Sequence, residues 1–139
     1  LHHSRGSNLI IENSSGTIDR MTLHHGNKKG LYVLGSNVQI AHSDFHTNRC
    51  EGLSIEKYSE VKIHDSRFIN NGQAMEDSLP GIRIAQRSKL WLTDCRIEKH
   101  MHYGIHAFNN SRVTLQNCQF KNNKPGPWKI ENNAKVSGQ

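Results

Sequence analysis

The chain has 139 residues, a formal net charge of +6 and only 34% hydrophobic residues. No stretch approaches the roughly 18 consecutive apolar residues of a membrane-spanning helix, so the sequence predicts no transmembrane helix. The three cysteines are an odd number without C-x-x-C spacing, which argues against a zinc ribbon. They give a slight preference for a reducing, cytoplasmic compartment and leave the location open.

A ten-residue pattern recurs along the chain. Its copies lie at residues 36–45, 59–68, 88–97 and 111–120, with a weaker copy at 7–16 and a truncated copy at 134–136, so the starts are 29, 23, 29, 23 and 23 residues apart. A shorter motif, Gly-φ-x-φ with φ apolar, precedes the copies at 30–33, 52–55, 81–84 and 104–107, with a variant at 127–130. Such a period predicts one structural unit stacked on copies of itself.

Each repeat predicts three short strands separated by bends. The apolar residues alternate with polar ones in runs of three to five, which is strand periodicity and too short for helices. A minimum turn of 22 or 23 residues then predicts an all-β parallel β-helix of five to six rungs. Equivalent apolar side chains would stack as ladders that fill the interior, namely Leu31/Leu53/Ile82/Ile105, Val33/Ile55/Ile84/Ala107, Val38/Val61/Leu90/Val113, Ile40/Ile63/Leu92/Leu115 and Phe45/Phe68/Ile97/Phe120.

These motifs, with Asn48, Asn71, His100 or Asn123 after each copy, resemble the right-handed parallel β-helix repeats of the pectate-lyase-like superfamily. The resemblance covers nearly the whole chain and implies the fold and its right hand, which parallel crossovers also favour. It implies little about activity, because the superfamily contains lyases, hydrolases, epimerases, phage tailspikes and non-catalytic eukaryotic members. Among the last, we expect the chain to be nearest to F-box and Shc SH2-domain-binding β-helix proteins. We expect a single domain over residues 1–139, excised from a longer protein.

Candidate binding residues lie on predicted outward positions. Two predicted loops, residues 17–29 and 70–80, would overhang a column that includes Tyr32, Arg83 and His106. Loops on a rigid scaffold commonly carry binding sites, although surface insertions are also tolerated at little cost.

A second predicted column stacks Lys89, Arg112 and Lys135 on adjacent rungs. Like charges that face each other in a sheet cost stability, and an acidic polysaccharide or acidic protein segment would relieve the repulsion. The alternative is that these long side chains spread into water and are screened. Few exposed aromatic residues and no recognisable motif argue against nucleic acid.

Trp91 is predicted to point outward beside Lys62. An exposed indole suits sugar stacking or a protein interface, whereas a cation–π contact with Lys62 is the alternative. The pairs His24-His25 and His100-x-His102 have no third ligand at a fixed spacing, so we predict neither a metal site nor a cofactor.

An enzyme of this class would need clustered carboxylates on one face. Asp65 and Asp94 share a predicted column with Asn13, His42 and Asn117, which is typical of turn residues. Glu76, Asp77 and Arg83 form the only local trio that suits catalysis, and we expect no catalytic residues. The sequence therefore favours a non-catalytic interaction module that binds an acidic protein segment or carbohydrate. The alternative is part of a lyase, hydrolase or epimerase that acts on acidic glycans.

Overall fold

The computed structural model describes residues 1, 3–74, 79–124 and 126–138. Within them the chain forms 17 short strands: β1 (Leu9–Glu12), β2 (Ser15–Asp19), β3 (Thr22–His24), β4 (Leu31–Leu34), β5 (Asn37–Ala41), β6 (Asp44–His46), β7 (Leu53–Glu56), β8 (Glu60–His64), β9 (Arg67–Ile69), β10 (Ile82–Ile84), β11 (Lys89–Thr93), β12 (Arg96–Glu98), β13 (Ile105–Ala107), β14 (Arg112–Gln116), β15 (Gln119–Lys121), β16 (Trp128–Ile130) and β17 (Lys135–Gly138). The described residues contain no helix that is long and apolar enough to cross a membrane.

The strands form three parallel sheets, each built from every third strand. The first sheet has the order β1-β4-β7-β10-β13-β16, the second β2-β5-β8-β11-β14-β17, and the third β3-β6-β9-β12-β15. Three consecutive strands make one rung, and every strand pairs with its equivalent one rung away. The predicted all-β parallel β-helix with three strands per rung is thereby confirmed.

The interior consists of the predicted apolar ladders in the predicted register. Leu31 lies beside Leu53, Val38 beside Val61, and Phe45 beside Phe68, and none of these side chains is more than 2% exposed. Because each rung contributes its side chains to the same narrow interior, modest hydrophobic content suffices for a continuous core.

Single left-handed residues bend the chain at the corners. The second corner of successive rungs contains Arg20, His42, Asp65, Asp94 and Asn117, all with φ between 48° and 52°. Asn and Asp tolerate this conformation better than most residues, because their short polar side chains bond locally. The column of Asp65 and Asp94 is therefore a turn column, as predicted, except that Arg20 and not Asn13 occupies its first position.

Ladders of buried polar side chains accept hydrogen bonds from backbone amides at all three corners of the rungs. The amides of Gly26 and Asn48 donate to the Oδ1 atoms of Asn48 and Asn71 at 2.9 and 3.2 Å, and the amide of Asn71 donates to Nδ1 of His100 at 3.0 Å. His100 thus replaces asparagine in the ladder, and its Nε2 donates to the carbonyl of Phe68 at 3.0 Å. Burial lowers the pKa of His100 to about 4, so the ring is neutral at neutral pH.

A second ladder contains two cysteines in place of serine. The amide of Ser43 donates to Oγ of Ser66 at 3.1 Å, while the amides of Ser66 and Cys95 bond to the Sγ atoms of Cys95 and Cys118. Neither cysteine forms a disulfide, and Sγ of Cys95 also donates to the carbonyl of Thr93 at 3.3 Å. Two small side chains thus stack at this inward bend on adjacent rungs, with no disulfide between them.

The predicted alignment of the first rung is wrong. Leu9 pairs with Leu31, so residues 9–12 form a strand of the first sheet, and the first copy of the ten-residue pattern begins at Ser14, whose carbonyl accepts a bond from Asn37. Gly16 stands where later copies carry Val38 and its equivalents, which hid this copy in the sequence. The predicted loop at residues 17–29 consequently contains most of β2 and all of β3.

Candidate functional site

The outer face of the second sheet carries two of the predicted columns. Lys89 pairs with Glu60 and Arg112, and Trp91 pairs with Lys62 and Thr114. Lys89 and Trp91 are two residues apart on β11 and therefore point to the same side. Four predicted binding residues, Lys62, Lys89, Trp91 and Arg112, thus lie on one face.

A surface depression of about 720 Å³ lies on this face. It extends over β2, β5, β8 and β11, and its outward lining residues are Thr17, Asp19, Gln39, Ala41, Lys62, His64, Trp91 and Thr93. A second depression of about 460 Å³ shares Thr17, Gln39 and Lys62 and continues across the sheet towards Glu60. Together they form a groove whose lining combines one large aromatic ring with donors and acceptors of hydrogen bonds.

Trp91 keeps part of its ring accessible within this groove. Its indole is half-buried, and Nζ of Lys62 lies 5.5 Å from the ring centroid. The cation–π contact anticipated from the sequence is therefore present. The indole also lines the groove, and its role in binding stays a prediction.

The basic column beside the groove is only partly neutralised. Nζ of Lys89 lies 3.8 Å from a carboxylate oxygen of Glu60, and both side chains are nearly half exposed. Arg112 and Lys135 follow on the next two rungs, and neither forms an ion pair within the described residues. The single carboxylate of Glu60 offsets only one of these three cations, so the column keeps a net positive charge.

One end of the groove carries an imidazole between two carboxylates. Nδ1 of His42 donates to Oδ1 of Asp19 at 2.8 Å, and its Nε2 lies 3.6 Å from Oδ2 of Asp65. The hydrogen bond from His42 holds the pKa of Asp19 below its usual range. The ring of His64, which lines the groove, meets that of His42 edge-on at a centroid distance of 5.3 Å.

The other three predicted binding residues lie on the first sheet. Tyr32 donates to Oε2 of Glu56 at 2.8 Å, and the guanidinium of Arg83 pairs with the same carboxylate and covers the ring of Phe108 at 4.6 Å. Nε2 of His106 contacts Glu131 at 3.1 Å. The structure therefore separates the seven predicted residues into two faces.

The polar side chains of these first-sheet residues largely form hydrogen bonds and ion pairs with one another. Burial, together with the hydrogen bond to Glu56, raises the pKa of Tyr32 to about 12. Burial would also raise the pKa of Glu56, but the bonds from Tyr32 and Arg83 outweigh it and keep that pKa below its usual range. The guanidinium of Arg83 is thus already paired with Glu56. Its proposed companions Glu76 and Asp77 lie outside the described residues.

The structure also assembles a histidine cluster that sequence spacing missed. His46 pairs with His24 across β3 and β6, which places it beside the His24-His25 pair. One nitrogen from each of the three rings lies within 4.8 Å of the other two. The correct alignment of the first rung would have predicted this group, because it places residues 22–24 opposite 44–46.

Comparisons with known proteins agree with the fold. The chain matches the family described as "Right handed beta helix region" over residues 1–138. No curated protein matches it. Among solved structures, it is similar to the A-module of Azotobacter vinelandii mannuronan C-5 epimerase AlgE4, with a TM-score of 0.73, 13% identity, and coverage of 99% of this chain and 47% of that one.

The A-module of Azotobacter vinelandii mannuronan C-5 epimerase AlgE6 is also similar, with a TM-score of 0.58, 16% identity, and coverage of 84% of this chain and 36% of that one. This chain therefore spans less than half of either module, and identities this low establish the shared fold alone. With a family match over nearly its full length, the chain belongs to the right-handed β-helix family.

Proposed function

We propose that this β-helix is a binding module for an acidic glycan, which lies in the groove on the second sheet. The observation that carries the proposal is the depression of about 720 Å³ in which the half-buried ring of Trp91 lies beside the ammonium group of Lys62. An indole face stacks on a sugar ring, and an ammonium group pairs with a uronate carboxylate.

The surroundings of Trp91 favour a glycan over an acidic peptide. Thr17, Gln39 and Thr93 line the same depression and offer hydroxyl and amide groups to sugar hydroxyls. Thr17, Gln39, Lys62 and Trp91 lie on successive rungs, so this column is about 14 Å long at the spacing of parallel strands. The site is thus long enough for several sugar units, and the basic column at Lys89 and Arg112 extends it.

The test is titration of the protein with mannuronan oligomers, with dextran oligomers of equal length and poly-glutamate as the competing ligands. We expect binding to mannuronan that weakens as salt rises, and no binding to dextran. Trp91→Thr introduces the residue of the next rung and should weaken binding about tenfold, the size of one aromatic contact. Lys62→Gln should reduce both the affinity and its salt dependence.

The matched control is Lys129→Gln on the first sheet, which should keep the affinity of the parent protein. An equal loss of affinity in Lys129→Gln and Lys62→Gln would mean that net charge alone attracts the glycan. It would contradict the proposal that the glycan binds in the groove. Stronger binding of poly-glutamate than of mannuronan would identify an acidic protein segment as the ligand.

A second candidate function is modification of the glycan. The observation that favours it is the pair of imidazoles, His42 and His64, at the end of the groove, with Asp19 and Asp65 on either side of His42. Histidine transfers protons near neutral pH, as an epimerase or lyase requires at a sugar carbon. This candidate predicts turnover of mannuronan that His42→Ala abolishes while binding persists. Binding without turnover in the protein favours the binding module.

A further inference from the structure

We propose that His24, His25 and His46 form a binding site for a zinc ion on the third sheet, separate from the groove. His24 ends β3, His25 follows it in the corner, and His46 ends β6 one rung away. The chain thus brings three imidazoles together through one pair of neighbours in sequence and one pair of neighbours in the sheet.

The distances between the rings suit a shared ion. The Nδ1 atoms of His24 and His25 are 2.8 Å apart, and one nitrogen of each of the three rings falls within 4.8 Å of the other two. Ligands of tetrahedral zinc lie about 2.0–2.1 Å from the metal, which puts pairs of them roughly 3.4 Å apart. Small rotations of the three side chains would therefore bring their nitrogens to this separation.

The chemistry of the ligands selects a transition metal. Imidazole nitrogen binds Zn²⁺ well, whereas Ca²⁺ and Mg²⁺ require oxygen ligands, and the group contains no carboxylate. His24 and His25 are half-buried and exposed, respectively, so an ion can enter from solvent. Three protein ligands leave a fourth position for water or another group.

The repeat itself does not require histidine at these positions. The equivalents of His24 and His46 on later rungs are Ile69, Glu98 and Lys121. The corner position of His25 is filled by Thr47 and Asn70, which also adopt positive φ. The three histidines are thus a local departure from the pattern, confined to two adjacent rungs.

His3 lies close to the same cluster. Its ring stacks on that of His25 at a centroid distance of 5.2 Å, and it meets the ring of His24 edge-on at 6.4 Å. The proposed site does not depend on His3, because the three ligand nitrogens come from β3, its corner and β6. A bound ion would connect these two neighbouring strands and stabilise the first two rungs.

The test is isothermal titration of the purified, metal-free protein with zinc, together with the visible spectrum after addition of Co²⁺. We expect one zinc per chain and the intense bands of tetrahedral cobalt. His46→Ile and His25→Asn introduce residues that later rungs carry at the same positions, so both should fold. Each should weaken zinc binding at least tenfold and remove the tetrahedral spectrum.

The matched control is His102→Asn, which should leave both readouts unchanged, and His3→Ala should still bind zinc. A parent protein that does not bind stoichiometric zinc would overturn the proposal. So would zinc binding that survives His46→Ile but disappears in His3→Ala, because the ligands would then be the histidines near the beginning of the chain. The outcome of these zinc experiments leaves the proposal of a glycan groove untouched, because the residues of the groove lie on the second sheet.

Discussion

Replacement of Phe68 by alanine tests the stacking of the core most directly. The side chain is completely buried, and its ring stacks on that of Phe45 with centroids 4.6 Å apart and planes 5° from parallel. Ile97 lies beside it on the following rung. Because hydrogen bonds between rungs hold these neighbours at a fixed spacing, they cannot move together to fill the vacated volume.

The expected loss of stability can be worked out from the area that the Phe68 side chain buries. A phenylalanine side chain buries roughly 150–250 Å², which corresponds to about 4–6 kcal/mol at about 25 cal/mol per Å². Alanine retains a small part of this, and the remaining cavity adds to the loss, so we expect Phe68→Ala to lower the free energy of unfolding by about 3–5 kcal/mol. The melting temperature should fall by about 10–20 °C.

The assay is urea unfolding followed by circular dichroism, together with a thermal melt. Tyr58→Ala is the matched control, because Tyr58 is also aromatic but is 71% exposed at a corner. It should change the free energy of unfolding by no more than about 0.5 kcal/mol. The reasoning is refuted if the two variants unfold at the same urea concentration, because the phenylalanine ladder would then not contribute to the core.

Three further predictions concern the polar ladders. The pKa of His100 is about 4 in the folded protein, against the ordinary histidine value of about 6.5 in the unfolded chain. On acidification the unfolded chain therefore takes up a proton at this histidine before the folded protein does. The free energy of unfolding should have its full value above about pH 6.5 and fall by up to about 3 kcal/mol as the pH approaches 4. His100→Asn should flatten this dependence in urea unfolding at several pH values, and the control His102→Asn should retain it. Asn48→Ala leaves the buried amide of Gly26 without its acceptor and should lower the free energy of unfolding by about 2–4 kcal/mol. A decrease below about 1 kcal/mol would mean that water replaces the side chain as acceptor. Cys95→Ser should cost less than about 1 kcal/mol, because serine occupies the same position on the two preceding rungs, and Cys95→Val should cost more because it cannot accept the amide bond from Ser66.

Local pattern was sufficient to predict the fold, the inward ladders and the outward columns. Side chains alternate between the two faces of a strand, and parallel pairing repeats at the period of the sequence, so the spacing of apolar residues determines which positions meet on adjacent rungs. The prediction for the first rung was wrong because Gly16 replaces the first apolar residue of its copy of the pattern, and the resulting shift in alignment placed strand residues in a predicted loop. The same shift concealed the position of His24 opposite His46.

Side-chain pairing and the position of the groove depended on the tertiary structure. The sequence assigned Tyr32, Arg83 and Trp91 to outward positions, but it could not indicate that Glu56 bonds to both Tyr32 and Arg83 while Trp91 lines an open depression. These contacts join residues on different rungs and depend on the rotamers of long side chains, which a repeat pattern does not specify. A periodic sequence therefore determines which residues share a face, whereas only packing in three dimensions decides which of those residues satisfy one another and which remain available to a ligand.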